Sequence, residues 1–161
     1  MLNPKPTLHH PSRVRALPGL RIERWLRRAV YLSVLLLTVS GLAWVGAHYF
    51  LRPVGAFGET VVSPLEPWSM KLHGGAAMLL LFFVGSILQV HIRRAIRTGR
   101  NRVSGWSMIG LLGVLVVSGY GLYYVAGETS RPLWSLIHWV VGGVLTPLLV
   151  AHVLIGRRSR G

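Results

Sequence analysis

Five of the seven histidines fall within or beside long apolar runs: His48, His73, His91, His138 and His152. An ionisable side chain in hydrocarbon is costly and is usually there for a function. Taken singly, each is equally well explained by a hydrogen bond to a neighbouring helix. Their spacing says more. His73 and His91 are 18 residues apart, and His138 and His152 are 14 apart. At about 100° per residue these separations are five whole turns and about 40° short of four. Each pair therefore shares one face of its helix.

The chain has neither cysteine nor aspartate. Disulfides, Cys-ligated zinc, iron–sulfur clusters and thioether-attached haem are excluded, and carboxylate cages for hard cations are disfavoured. Neutral imidazole is a good iron ligand, and binding metal relieves the cost of burying its lone pair. If the two histidine-bearing helices run in the same direction, His73 faces His138 at one depth and His91 faces His152 at another. Two facing imidazoles at each of two depths suggest axial ligation of two haems. Zinc fits less well, because two imidazoles leave half of its usual four positions empty.

Such a ligand needs an acceptor for its second ring nitrogen. Ser69, four residues before His73, and Ser135, three before His138, are the expected acceptors, with backbone carbonyls serving His91 and His152. Haem propionates need cationic partners. Arg94 is placed for the inner level, and Arg131 and Arg52 for the outer one, whereas Lys71 falls on nearly the opposite face from His73. Gly74, Gly75, Gly85, Gly142 and Gly143 leave room for a macrocycle, or simply permit close helix packing. His48 near the outer boundary reads three ways: a proton acceptor at a quinol site, a substitute ligand, or an interfacial histidine.

The elements that must hold these residues are apolar runs over residues 29–50, 68–92, 103–126 and 133–155. Each is long enough to cross a hydrocarbon core of about 30 Å as a helix. Continuous runs without strict alternation favour helices over a barrel. The first run is too long for a signal-peptide core and is expected to be retained. A net charge of +14 would ordinarily suggest nucleic acid, but 52% of the residues are hydrophobic and only 14% are charged. A soluble basic protein of this length could not hide that apolar surface. Fifteen of the 18 Lys and Arg residues precede the first run, join the second to the third, or follow the fourth. Only Arg52, Lys71 and Arg131 fall on the other side. The positive-inside rule then puts both termini in the cytoplasm and sends the two histidine-bearing spans the same way. The expected fold is all-α: an integral-membrane four-helix bundle of two similar hairpins in a bacterial inner membrane. Residues 1–28 are expected to form a flexible basic cytoplasmic tail in which His9 and His10 are solvated. Residues 29–158 form the membrane domain, and the loop over residues 51–67 is expected to cap its outer face.

The two halves resemble each other. Thr38-Val39-Ser40-Gly41, Trp68-Ser69 and His73 in the first are echoed by Val117-Ser118-Gly119, Trp134-Ser135 and His138 in the second. Each half then has a second histidine, His91 or His152, followed by an arginine pair. Small and interfacial residues recur in all membrane helices, but recurrence of the histidines as well favours duplication about an axis along the membrane normal.

The segments HGGAAMLLLFFVGSILQVH, VVSGYGLYY and RPLWSLIHWVVGGVLTPLLVAHVLIGRR resemble those of transmembrane di-haem b-type cytochromes. The likeness is closest to the small four-helix cytochromes of the flavinylation-associated family, and more distant to the cytochrome b subunits of hydrogenases and formate dehydrogenases. It covers roughly residues 29–158. It implies one-electron transfer across the membrane between a quinol pool and a flavin- or haem-containing partner, through two b haems on His73, His138, His91 and His152. The 18-residue spacing in the second span departs from the 14 of the fourth and weakens the expected His91–His152 pairing. Two other functions are compatible with the residues: a reductase of ferric or other oxidised substrates using the same haems, and a small transporter or assembly scaffold whose histidines bind a metal ion or relay protons. Against the latter, Glu23, Glu59, Glu66 and Glu128 all lie outside the expected spans.

Overall fold

The structure, a computed structural model, describes residues 22–88, 91 and 102–158. The described residues form four helices: α1 (Arg24–Phe50), α2 (Leu65–Ile87), α3 (Arg102–Tyr124) and α4 (Arg131–Arg158). All four are long and apolar enough to cross a membrane. The expected tail lies almost entirely outside the described residues, as do Arg94 and most of the loop joining α2 to α3.

Helix ends follow local chemistry. After Phe50 the chain meets Arg52-Pro53, and proline cannot continue an α-helix ladder. The backbone then folds into a small turn in which Val54 pairs with Thr60, closed by Gly55 N–H donating to Glu59 O at 2.7 Å. Gly58 adopts φ 82°, a left-handed conformation that glycine takes without a Cβ penalty. Residues 51–62 are exposed apart from a half-buried Gly55, so this loop flanks the bundle and does not plug it. Pro67 sits in the first turn of α2, where a missing N–H costs nothing. Pro147 lies inside α4, which nevertheless runs continuously to Arg158.

Hydroxyls inside the helices are bonded to their own backbone. Ser33 donates to Ala29 O, Thr38 to Val34 O and Ser86 to Phe82 O, each at 2.9 Å. In an apolar surrounding this satisfies groups that water would otherwise bind.

Packing is uneven. α1 lies along α2 and α3 along α4, giving two tight hairpins, whereas the hairpins meet each other mainly through α1 and α4. There Thr38 and Thr146 hydroxyls are 2.8 Å apart. Buried apolar side chains among the described residues are few: Val34, Ala47, Ala76, Leu80 and Leu145. Leu80 is seven residues after His73, and Leu145 seven after His138, so both lie between the two histidine levels. The bundle is thus two closely packed hairpins that touch each other sparsely.

Candidate functional site: two imidazole pairs between the hairpins

The four histidines meet as two pairs, one at each depth. His73 on α2 and His138 on α4 have ring centres 6.1 Å apart, with planes inclined at 67°. His91, just beyond α2, and His152 on α4 have ring centres 6.3 Å apart, inclined at 83°. Both pairings expected from the sequence are therefore present, including the one that unequal spacing put in doubt. Regular α-helix ends at Ile87, and Leu88 and His91 lie in wider π-type turns. A wide turn advances less along the axis for each residue, which shortens the longer of the two spacings. Such insertions recur at functional sites.

Each outer histidine is oriented by the partner helix of its own hairpin. Ser40 Oγ on α1 lies 3.1 Å from His73 Nδ1, and Ser118 Oγ on α3 lies 2.8 Å from His138 Nδ1. Ser40 donates its own proton to Leu36 O at 2.6 Å. Its oxygen is thereby left to accept from His73, which places the ring proton on Nδ1 and the lone pair on Nε2. Ser118 follows the same pattern through Leu115 O at 3.3 Å. Both serines are 2% exposed.

At the inner level Ser104 Oγ on α3 lies 2.9 Å from His152 Nδ1. The side-chain partners of Nδ1 are thus Ser40, Ser118 and Ser104, and not the expected Ser69 and Ser135 or a carbonyl at His152. Ser69 instead donates to Glu66 O at 2.9 Å. A serine on the ligand's own helix is bound to the local backbone. Ser40 and Ser118 on the facing helices are bound to their local backbone too, yet their oxygens also reach a histidine across the hairpin.

The sequence held a signal for all three acceptors. Val39-Ser40-Gly41, Val103-Ser104-Gly105 and Val117-Ser118-Gly119 are the same tripeptide. The two copies on α3 are 14 residues apart, the separation of His138 and His152 on the antiparallel α4. The glycine has its own role at the outer level. A Cβ on Gly41 would lie 3.4 Å from His73 Cε1, and one on Gly119 would lie 3.3 Å from His138 Cε1. The dipeptide thus supplies an acceptor and then removes the side chain that would crowd the ring.

The remaining candidates are placed as follows. Gly74, Gly75, Gly85 and Gly143 have open space where a Cβ would project. Arg131, two turns before His138, is exposed and donates to Ala126 O at 3.2 Å. Arg52 folds back over His48, donating from Nε to its carbonyl at 2.7 Å. Lys71 Nζ sits 4.7 Å above the Trp68 ring. His48 is remote from both imidazole pairs in its contacts: it stacks on Trp44 at 4.7 Å and binds Glu66 Oε2 through Nδ1 at 3.0 Å.

Comparison with protein-family models, curated proteins and solved structures returns no match. The arrangement has to be read from its chemistry. An imidazole nitrogen lies about 1.1 Å from its ring centre and binds a metal at about 2 Å, so two rings on one metal axis have centres about 6 Å apart. Among the described residues no group of three or more His, Cys, Asp or Glu side chains gathers around a common point. Each level brings together two imidazoles, one from each hairpin, at a ring-centre separation close to this value.

Proposed function

We propose that this protein is an integral-membrane electron carrier holding two b haems, one on His73 and His138 and the other on His91 and His152. One observation carries the reading: two imidazole pairs with ring centres at 6.1 and 6.3 Å, the separation that a single metal atom between them requires. A haem supplies four equatorial nitrogens and needs two axial ligands, which is what each level offers. The Nδ1 hydrogen bonds would leave Nε2 free to bind a metal at His73 and His138, and the sparse contact between the hairpins would leave room for a macrocycle. Arg131, exposed two turns before His138, would meet a propionate, whereas Arg94, the expected inner partner, lies outside the described residues.

In this reading the four helices cross the bacterial inner membrane with both termini in the cytoplasm, as the segregation of cations requires. The two haems then lie near opposite faces, and electrons pass between them. A lipid-soluble quinol would exchange electrons at one end, and a flavin- or haem-bearing protein at the other.

A reduced-minus-oxidised optical spectrum of the purified protein tests this directly. Two haems per chain are expected. His73→Ala or His138→Ala should remove one and leave the other, while His152→Ala removes the second. Protein prepared with ample haem that shows no haem band would refute the reading.

A further inference from the structure

The end of the bundle that bears the α1–α2 and α3–α4 connections holds a polar cluster that neither imidazole pair uses. Glu66, in the first turn of α2 and close to the expected membrane boundary, is only 8% exposed. Its Oε2 accepts from His48 Nδ1 at 3.0 Å, and its Oε1 is buried without a hydrogen-bond partner. Arg52 Nη2 lies 2.9 Å from both ring nitrogens of His48, above the ring. Trp44 stacks on the other side, and Tyr49 meets the ring edge at 4.9 Å. A buried carboxylate with a spare oxygen beside a half-exposed imidazole is expensive to keep unless it handles protons or a ligand.

The internal repeat sharpens the point. Glu66 is seven residues before His73, and the residue seven before His138 is Arg131. His48 is seven residues after Gly41, and the residue seven after Gly119 is Ala126. Glu66 touches His48, and Arg131 donates to Ala126 O. The same contact is therefore made in both hairpins with opposite chemistry. The second hairpin presents a guanidinium suited to an anionic propionate. The first presents an acid–imidazole couple that would repel one.

We infer that His48, Glu66 and Arg52 form a site that takes a hydroquinone and accepts its protons, which rests on the two-haem reading above. Glu66 fixes the His48 tautomer with its proton on Nδ1, leaving Nε2 to receive a proton from a hydroquinone hydroxyl. The carboxylate then stabilises the imidazolium, as acids that orient catalytic histidines do. Arg52 moves from the ring to the developing quinone carbonyl. Each hydroquinone loses two protons and two electrons and becomes the quinone. Two haems, which His73 with His138 and His91 with His152 would hold, would take up the two electrons, one each. The protons leave in turn through His48, whose side chain is 29% exposed, to the water at this end. Here His48 is the catalytic residue and Glu66 a positioning residue.

The test uses the haem-loaded protein in detergent with a short-chain benzohydroquinone, following haem reduction by stopped flow. His48→Gln should slow reduction by about 10²-fold or more, the usual worth of a positioned base, and Glu66→Gln by about tenfold. Reduction by dithionite, which needs no proton acceptor, should be unchanged in both. The wild-type rate should rise with pH and then level off. In His48→Gln it should climb without a plateau, following only the ionisation of the hydroquinone. The ionisable groups facing His48 are Glu66 on α2, Tyr49 on α1 and Arg52 after it. Equilibrium dialysis with the benzoquinone should find one saturable site, weakened about tenfold by Arg52→Gln, the worth of a charged hydrogen bond. A wild-type profile without a plateau, or loaded variants reduced at the wild-type rate, would overturn the site while leaving the haems intact. Absence of haem from the wild type would instead overturn the reading beneath it.

Discussion

A serine hydroxyl can serve an imidazole only if its own proton is committed elsewhere. Ser40 and Ser118 meet this condition through Leu36 O and Leu115 O on their own helices. The consequence is electronic as well as geometric. An Nδ1–H that donates to oxygen makes Nε2 a stronger donor, and a stronger axial donor favours the ferric ion. Ser118→Ala should therefore retain the outer haem and raise its midpoint potential. A hydrogen bond worth about 1 kcal/mol corresponds to roughly 40 mV for one electron. Redox titration of the variant checks this. Ser107→Ala is the control, because that hydroxyl donates to Val103 O and meets no histidine. An unchanged outer potential in Ser118→Ala, or an equal shift in Ser107→Ala, would remove the serine from the electronic account.

At the scale of the helix, α3 is a rail that spaces its two Ser-Gly steps to match the two histidines of α4. Room beside the ring is as specific as the hydrogen bond. Gly119 is already close to His138 Cε1, whereas a side chain at Gly110, on the same helix, would enter open space. Gly119→Leu should abolish the outer haem and spare the inner one, and Gly110→Leu should keep both. Haem stoichiometry by absorbance separates the outcomes. Loss of both haems in Gly119→Leu would mean that the helix, not the ring, had been disturbed.

Much of this arrangement was legible from residue type and period. The four spans, the hairpin repeat and the His73–His138 pair all follow from apolar length and a period of 3.6. The His91–His152 pair was obscured because a count of turns assumes one rise per residue, and the π-type turn at Leu88 and His91 breaks that assumption. Ser69, on the ligand's own helix, donates to Glu66 O, and the hydroxyls that meet the imidazoles stand on the facing helices. An acceptor on the facing helix shows in sequence only as a matched spacing between two helices. Glu66 was assigned to an outer segment by hydropathy. Its burial depends on how α1 returns beside α2, which composition does not encode.

For the molecule as a whole, the distribution of packing is the informative feature. Each hairpin is held by extensive contact along its length, whereas the hairpins touch chiefly along α1 and α4, where Thr38 meets Thr146. In membranes such interhelical hydrogen bonds are worth about 0.6 kcal/mol on average, too little to fix a bundle alone. If haem is the remaining cement, the distance between hairpins should depend on haem, and the distance within each should not. The chain contains no cysteine, so engineered pairs report without interference. Thr38→Cys with Thr146→Cys should cross-link efficiently in the loaded protein, since the native hydroxyls are 2.8 Å apart. The same pair should cross-link several-fold more slowly when haem supply is withheld. Non-reducing electrophoresis gives the ratio. Equal cross-linking of the inter-hairpin pair with and without haem would mean that the helices hold each other unaided.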